Sequence, residues 1–173
     1  MTSNPQTSIL NKVRKASRAT SDLVLGLAPV TQAGVLGSMG PGAAGKALNS
    51  IYRWDFLPAG LLGIAAGRDP HHTAIIDDGG SLTYEELHER STALARALRH
   101  GDIQQRNRIG VLARNHRGFI MALCAHGRLG TDLVLLNTGA AAEQTLAVIR
   151  EQKIDFLFID EEFTHMLPED FDE

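Results

Sequence analysis

Three short apolar runs decide what this chain folds into: Ile109-Gly110-Val111-Leu112-Ala113, Leu133-Val134-Leu135-Leu136 and Phe156-Leu157-Phe158-Ile159. Each run is continuous rather than alternating, and each is bounded by polar residues. That pattern marks strands covered on both faces, as in a parallel sheet between layers of helix. The segments between them, 115–131 and 138–155, are each long enough for one crossover helix. Residues 108–160 therefore predict a βαβαβ unit with right-handed crossovers, and the fold class is α/β.

A hairpin and a long helix should precede this unit. Thr73-Ala74-Ile75-Ile76-Asp77 and Ser81-Leu82-Thr83-Tyr84 read as strands around the turn Asp78-Gly79-Gly80. Thr83 and Glu86 have the spacing of a capping box, in which each side chain meets the other residue's backbone N–H. The helix they open carries Leu87, Ser91, Leu94, Ala95 and Leu98 on one face. Glu85, Glu86 and Glu89 load its start, and Arg96, Arg99 and His100 its end, as the helix dipole favours. Gly101 should stop it. Those carboxylates are dipole-matched surface rather than catalytic acids.

Upstream the character changes. Residues 7–27 have helical spacing (Ile9, Leu10, Val13, Ala16, Leu23, Leu27) with a basic polar side, and 23–40 are rich in Leu, Gly, Ala and Val. Residues 47–67 predict two helical pieces broken near Pro58. The division expected is a helical, Gly/Ala/Leu-rich extension over 1–67 and an incomplete α/β part over 68–173. The apolar core 23–28 is too short and too far from Met1 for a signal peptide. No stretch offers 18 uninterrupted apolar residues for a membrane span. A basic amphipathic helix leading into an apolar segment suits peripheral membrane contact through residues 9–67, and equally suits docking on the protein's own body.

Charge supports that division. Residues 1–70 hold seven Lys/Arg and three Asp, and the remainder ten Lys/Arg and seventeen Asp/Glu, so a net charge of −3 conceals a basic and an acidic part. The basic residues are few and lack interleaved aromatics, which argues against a nucleic-acid partner. One cysteine, Cys124, excludes an internal disulfide and fits a reducing cytoplasm; on a predicted apolar helix face it reads as an inert thiol.

Candidate sites are weaker than the fold. Gly40-Pro41-Gly42-Ala43-Ala44-Gly45-Lys46 imitates two phosphate-loop patterns. Pro41 removes a backbone N–H, Ala47 lacks the hydroxyl a magnesium site needs, and no strand precedes the run. It reads as a flexible connector. His71 and His72 are adjacent, and the other histidines lack metal-ligand spacing. In an open parallel sheet ligands gather beyond the carboxyl ends of the strands. Here those ends are Arg114-Asn115-His116-Arg117, Asn137-Thr138-Gly139 and Asp160-Glu161-Glu162. The first cluster could greet an anion, with His116 as acid or base. Against that, Asn115 is a good helix N-cap, and His116 and Arg117 need only be solvated.

From about Tyr52 to Phe163 the order of elements resembles the adenylate-forming enzymes, and within them the fatty-acyl-CoA ligases (acyl-CoA synthetases). The pieces that carry the likeness are Asp77-Asp78-Gly79-Gly80-Ser81-Leu82-Thr83-Tyr84-Glu85-Glu86-Leu87, Arg114-Asn115-His116-Arg117-Gly118-Phe119 and Leu135-Leu136-Asn137-Thr138-Gly139. The resemblance implies a two-step chemistry. A carboxylate and ATP give an acyl-adenylate and pyrophosphate, and the CoA thiol then displaces AMP. It implies ATP, magnesium and CoA as cofactors and a fatty acid as substrate for a whole ligase. The family's Ser/Thr/Gly-rich phosphate loop, its aromatic-Gly-Thr-Glu magnesium motif, its ribose-binding Asp and its catalytic Lys have no counterpart here. The expectation is thus the opening third of such a ligase, a partial N-terminal subdomain with no catalytic, cofactor-binding or metal residue of its own. Asn115 and Asn137 then shape loops. A stand-alone binding or regulatory module and a membrane-associated interaction protein are the alternatives.

Overall fold

The computed structural model describes residues 40–54, 57–169 and 171. The predicted helix over 7–27 and the apolar stretch that follows lie outside them. From Pro41 onward the chain forms one compact unit. Its elements are α1 (Pro41–Trp54), α2 (Pro58–Arg68), β1 (Thr73–Asp77), β2 (Gly80–Thr83), α3 (Tyr84–His100), β3 (Arg108–Leu112), α4 (Arg117–Leu129), β4 (Asp132–Leu135), α5 (Ala142–Glu151) and β5 (Phe156–Ile159), then a 3₁₀ turn, Glu161–Met166.

The βαβαβ reading holds. β3, β4 and β5 form a parallel sheet in the order β4-β3-β5, with Ile109 opposite both Leu133 and Phe156. Strands β3 and β4 begin one residue earlier than the apolar runs suggested. Side chains alternate across the pleat, so Ile109 and Val111 join Ala122, Ala125 and Leu129 of α4 and Ala95 and Leu98 of α3 in one core. On the other face Ile154 and Leu157 pack close over Gly110. A Cβ there would lie 2.9 Å from Ile154 Cδ1 and from Leu157 Cδ1. Among the described strands of this sheet only the central one is buried on both faces. β4 and β5 are edges, and Leu135 is 56% exposed.

The antiparallel hairpin β1–β2 lies beside a second core of Ala59, Leu62, Leu82, Leu87 and Cys124, which joins α2, β2, α3 and α4. The Thr83–Glu86 capping box is complete. Thr83 N–H donates to Glu86 Oε2 at 2.8 Å, and Glu86 N–H to Thr83 Oγ1 at 3.2 Å. Leu87, Ser91, Ala95 and Leu98 are buried as their spacing required, and Gly101 ends the helix.

One expectation needs correction. Pro41 to Lys46 is no connector but the first turns of α1, because Pro is well placed at a helix start and the alanines favour helix. In α4 the most buried positions are Ala122 and Ala125, in the core with Ile109 and Val111 of β3, and Cys124, in the second core, while Phe119, Ile120 and Leu123 sit at the margin. In α5, Thr145 and Ile149 face inward and Val148 is exposed.

Candidate functional site

The sheet brings the predicted clusters together at the carboxyl ends of β3 and β5. After Leu112 the chain leaves β3, and Asp160 reaches across from the end of β5. The Asp160 carboxylate accepts the Arg114 backbone N–H at 2.7 Å and meets His116 Nε2 at 2.9 Å. His116 Nδ1 accepts the Gly118 N–H at 3.0 Å, so the neutral ring carries its proton on Nε2 and donates it to Asp160. Both ring nitrogens are thereby engaged. The helix N-cap is His116, not Asn115. Its extended backbone (φ −147°, ψ 179°) and ring nitrogen do what was expected of the preceding residue, and Asn115 is left exposed in the bend.

Arg114 turns outward and forks onto Glu162, with Nη2 2.8 Å from Oε2 and its guanidinium 5.3 Å from the centre of the Phe163 ring. The bonded guanidinium holds the Glu162 carboxyl below its ordinary range, and Glu162 in turn raises Arg114. Both side chains are largely exposed, so the pair contributes little to stability.

Arg117 is held differently. Its own backbone N–H donates to Asp77 Oδ2 at 2.9 Å, Nε lies 2.9 Å from both Asp77 oxygens, and Nη2 bonds Asp77 Oδ1 and, at 2.8 Å, the Gly80 carbonyl. Side-chain hydrogen bonding by Arg117, then its backbone N–H, pushes the Asp77 carboxyl far below the usual carboxylate range. Gly79 makes the approach possible. A Cβ there would sit 2.9 Å from the Arg117 guanidinium carbon. The N-terminus of α4, the natural anion seat at a strand end, is thus filled by a carboxylate of the chain itself.

Asn137 closes a local turn, accepting the Gly139 N–H at 2.9 Å, and its loop contributes no charged group. His71 and His72 lie against Glu85 and Asp69 at 3.7 Å each, and the described residues contain no group of three potential metal ligands. Asp77 was absent from the sequence candidates. Its partner is 40 positions away, and nothing local in Asp77-Asp78-Gly79-Gly80 signals the pairing. Cys124 is buried, and that burial raises its thiol pKa.

The described residues do not fit ATP with magnesium. A triphosphate needs several converging donors and cations to offset its charge. At this end of the sheet the Arg117 and Arg114 guanidinium groups are already matched to Asp77 and Glu162, His116 is bonded to Asp160, and two N–H groups of α4 are already bonded.

The sequence model of the AMP-binding enzyme family matches residues 63–173. A fatty acid–[acyl-carrier-protein] ligase of Streptomyces coeruleorubidus is 28% identical over 98 residues, 57% of this chain and 19% of that protein. A feruloyl-CoA synthase of an Amycolatopsis species is 38% identical over 72 residues, 42% of this chain and 15% of its own length. The chain therefore spans about a fifth or less of these relatives. Among solved structures, o-succinylbenzoate coenzyme A synthetase of Bacillus subtilis in complex with ATP and magnesium superposes with a TM-score of 0.56 and 26% identity, covering 60% of this chain and 28% of that one. A benzoate CoA ligase of Burkholderia xenovorans shares the fold, with a TM-score of 0.61 at 24% identity over 65% of this chain and 23% of that one. With well over half of its residues inside the family match and the fold of the N-terminal subdomain in place, the chain belongs to the AMP-binding (adenylate-forming) enzyme family.

Proposed function

We propose that this chain supplies the sheet scaffold of a long-chain fatty-acid–CoA ligase, in which ATP, magnesium, the fatty acid and CoA are held by other parts of the fold. The observation that carries this reading is the closed strand end. The family match runs through β3 and β5, yet Arg117, His116 and Arg114 are committed to Asp77, Asp160 and Glu162. A fatty-acid ligase among the relatives supports the substrate class, although others are named for aromatic acids. The same pairing counts against a stand-alone module that would use the Arg114–Arg117 loop to take an anion.

On this reading the 173 residues alone are inactive. Fatty-acid-dependent ATP–pyrophosphate exchange by the purified chain stays at the level of the blank. Clear exchange overturns the scaffold reading. In any longer product of the same locus that is active, preference for an aromatic acid over a long-chain fatty acid overturns the substrate. We infer further a cytoplasmic location, from the single cysteine, and peripheral membrane contact through residues 9–67, from the basic amphipathic pattern ahead of an apolar segment. Flotation with liposomes tests that contact, and a chain that stays wholly in the soluble fraction argues against it.

A further inference from the structure

Strand β5 is an open edge with a groove along it. Among the described strands it pairs only with β3, and the register decides which of its backbone groups are left over. Asp160 N–H donates to the Leu112 carbonyl at 3.0 Å, so Asp160 and, by alternation, Phe158 and Phe156 turn toward β3. The β4 side agrees, because there the Val111 carbonyl accepts the Leu136 N–H, which leaves Gly110 and Leu112 to face β5. The N–H and C=O groups of Leu157 and Ile159 therefore point away from the sheet, and no backbone group of the described residues pairs with them.

After Ile159 the chain turns back beside this edge and leaves a groove of about 520 Å³, with Leu157, Ile159, Leu167 and Phe171 in its wall. Unpaired backbone next to an apolar trough is the surface that takes an added strand. The backbone supplies the hydrogen bonds, and the trough accepts every second side chain of the incoming segment. Edges are commonly protected by a charge on the strand itself. The four residues of β5, Phe156–Ile159, carry none.

Charge narrows the occupant. The described lining of the groove includes the carboxylates of Asp155 and Glu169 and no Lys or Arg. Residues 160–173 hold seven Asp/Glu and no Lys or Arg. Glu162 is matched to Arg114 and Asp160 to His116, whereas Glu161 and Glu169 meet no cation among the described residues. Pairing with β5 of a second copy would set these carboxylates against one another, which disfavours it.

We propose that the β5 edge binds an extended segment of another protein as a fourth strand, a segment with apolar residues at alternate positions and Lys or Arg at its ends. Its backbone pairs with Leu157 and Ile159, its apolar side chains enter the groove, and its cations meet the carboxylates of the rim. This surface lies outside the Arg114–Arg117 cluster and does not rest on the ligase reading.

The test uses the whole chain, dilute enough to scatter light as a monomer, and two short, end-blocked fluorescent peptides of alternating valine and threonine. One peptide carries lysines at both ends and the other glutamates. Anisotropy titrations should show saturable binding of the lysine peptide, with the glutamate peptide about tenfold weaker or more. Ile159→Pro removes an outward N–H and sets a ring in the path of the added strand, at the kind of edge position where proline spares the existing ladder. It should abolish binding. Glu169→Lys leaves the strand intact and should bring the two peptides closer in affinity. Thermal melts show whether each variant is folded, and if Ile159→Pro is not, Glu169→Lys decides. No binding of the lysine peptide overturns the proposal, as do equal affinities of the parent for the two peptides, undiminished binding by folded Ile159→Pro, or unchanged selectivity in Glu169→Lys. Displacement of the lysine peptide as the chain self-associates also overturns it, by giving the edge to a second copy. The outcome is independent of the exchange assay, because no residue of the strand-end cluster is altered.

Discussion

Arg117 and Asp77, 40 positions apart, join the β1–β2 hairpin to the N-terminus of α4. The Asp77 carboxylate receives both the backbone N–H and the guanidinium of Arg117, and only 11% of its side chain is exposed. A carboxylate takes the place at a helix N-terminus that a bound phosphate occupies in many α/β proteins. The hairpin is thus fastened to the sheet layer by an electrostatic contact as well as by the Leu82–Leu87 core.

The acid stability of the chain should depend on that contact. Arg117 holds the folded Asp77 carboxyl well below its unfolded value. Its stabilisation is therefore fully present above about pH 4 and is lost as pH falls below that toward the folded value. Thermal melts between about pH 7 and pH 3 should show a steep decline for the parent at the acid end. Asp77→Asn should melt lower at neutral pH and decline less. Parallel profiles for the two chains would remove the assignment.

His88 predicts a second pH effect in a separate window. Burial and the Arg128 charge depress its folded pKa, so the unfolded chain takes up a proton that the folded chain refuses. Stability is then complete above the ordinary histidine value of about 6.5 and falls as pH drops through it toward the folded value. His88→Gln keeps an acceptor near Arg128 and removes the titration. The drop in melting temperature between about pH 7.5 and pH 5.5 should be smaller in the variant. An equal drop assigns the effect to another group.

How far the sequence revealed this molecule follows from the range of each interaction. The strands and the Thr83–Glu86 box were legible because they are local, written in runs or spacings of a few residues. His116 replaced Asn115 as the cap of α4 by a shift of one position, which propensity alone does not resolve. The pairing of Arg114 with Glu162 and of Arg117 with Asp77 was not legible. Each spans 40 or more residues, and the sequence shows only that charges exist, not which of them meet. The groove beside β5 was not legible either, because only the fold brings Leu167 and Phe171 alongside Leu157 and Ile159.

The contact between α1 and α2 gives a prediction opposite to propensity. Replacing a glycine inside a helix by alanine ordinarily gains about 0.5–1 kcal/mol. At Gly63 a Cβ would fall 2.3 Å from Ser50 Oγ and 2.9 Å from Ser50 Cβ; rotation of the Ser50 side chain relieves the first contact but not the second, because the Cβ is fixed by the backbone. Gly63→Ala should therefore destabilise the fold by roughly 1–3 kcal/mol, the usual cost of overpacking. Adding Ser50→Gly should recover part of that loss, which a denaturation cycle over the four chains measures. Strict additivity would show that the two residues do not collide.

The open edges of the sheet give the last prediction. β4 and β5 each pair only with β3 among the described strands, and β4 ends on Leu135, more than half exposed. An edge that ends on an exposed leucine is a template for another chain, and such edges are usually blunted by charge. The purified chain should therefore associate as its concentration rises, and its monomer should melt below ~65 °C, within the mesophile range. Leu135→Lys places a charge on the edge without emptying the core. Light scattering should report less association in the variant, at a melting temperature within a few degrees of the parent. If the variant associates as readily, the contact is made elsewhere, and the β5 edge, flanked by a groove of about 520 Å³ that includes Leu157, Ile159 and Leu167, is the next surface to alter.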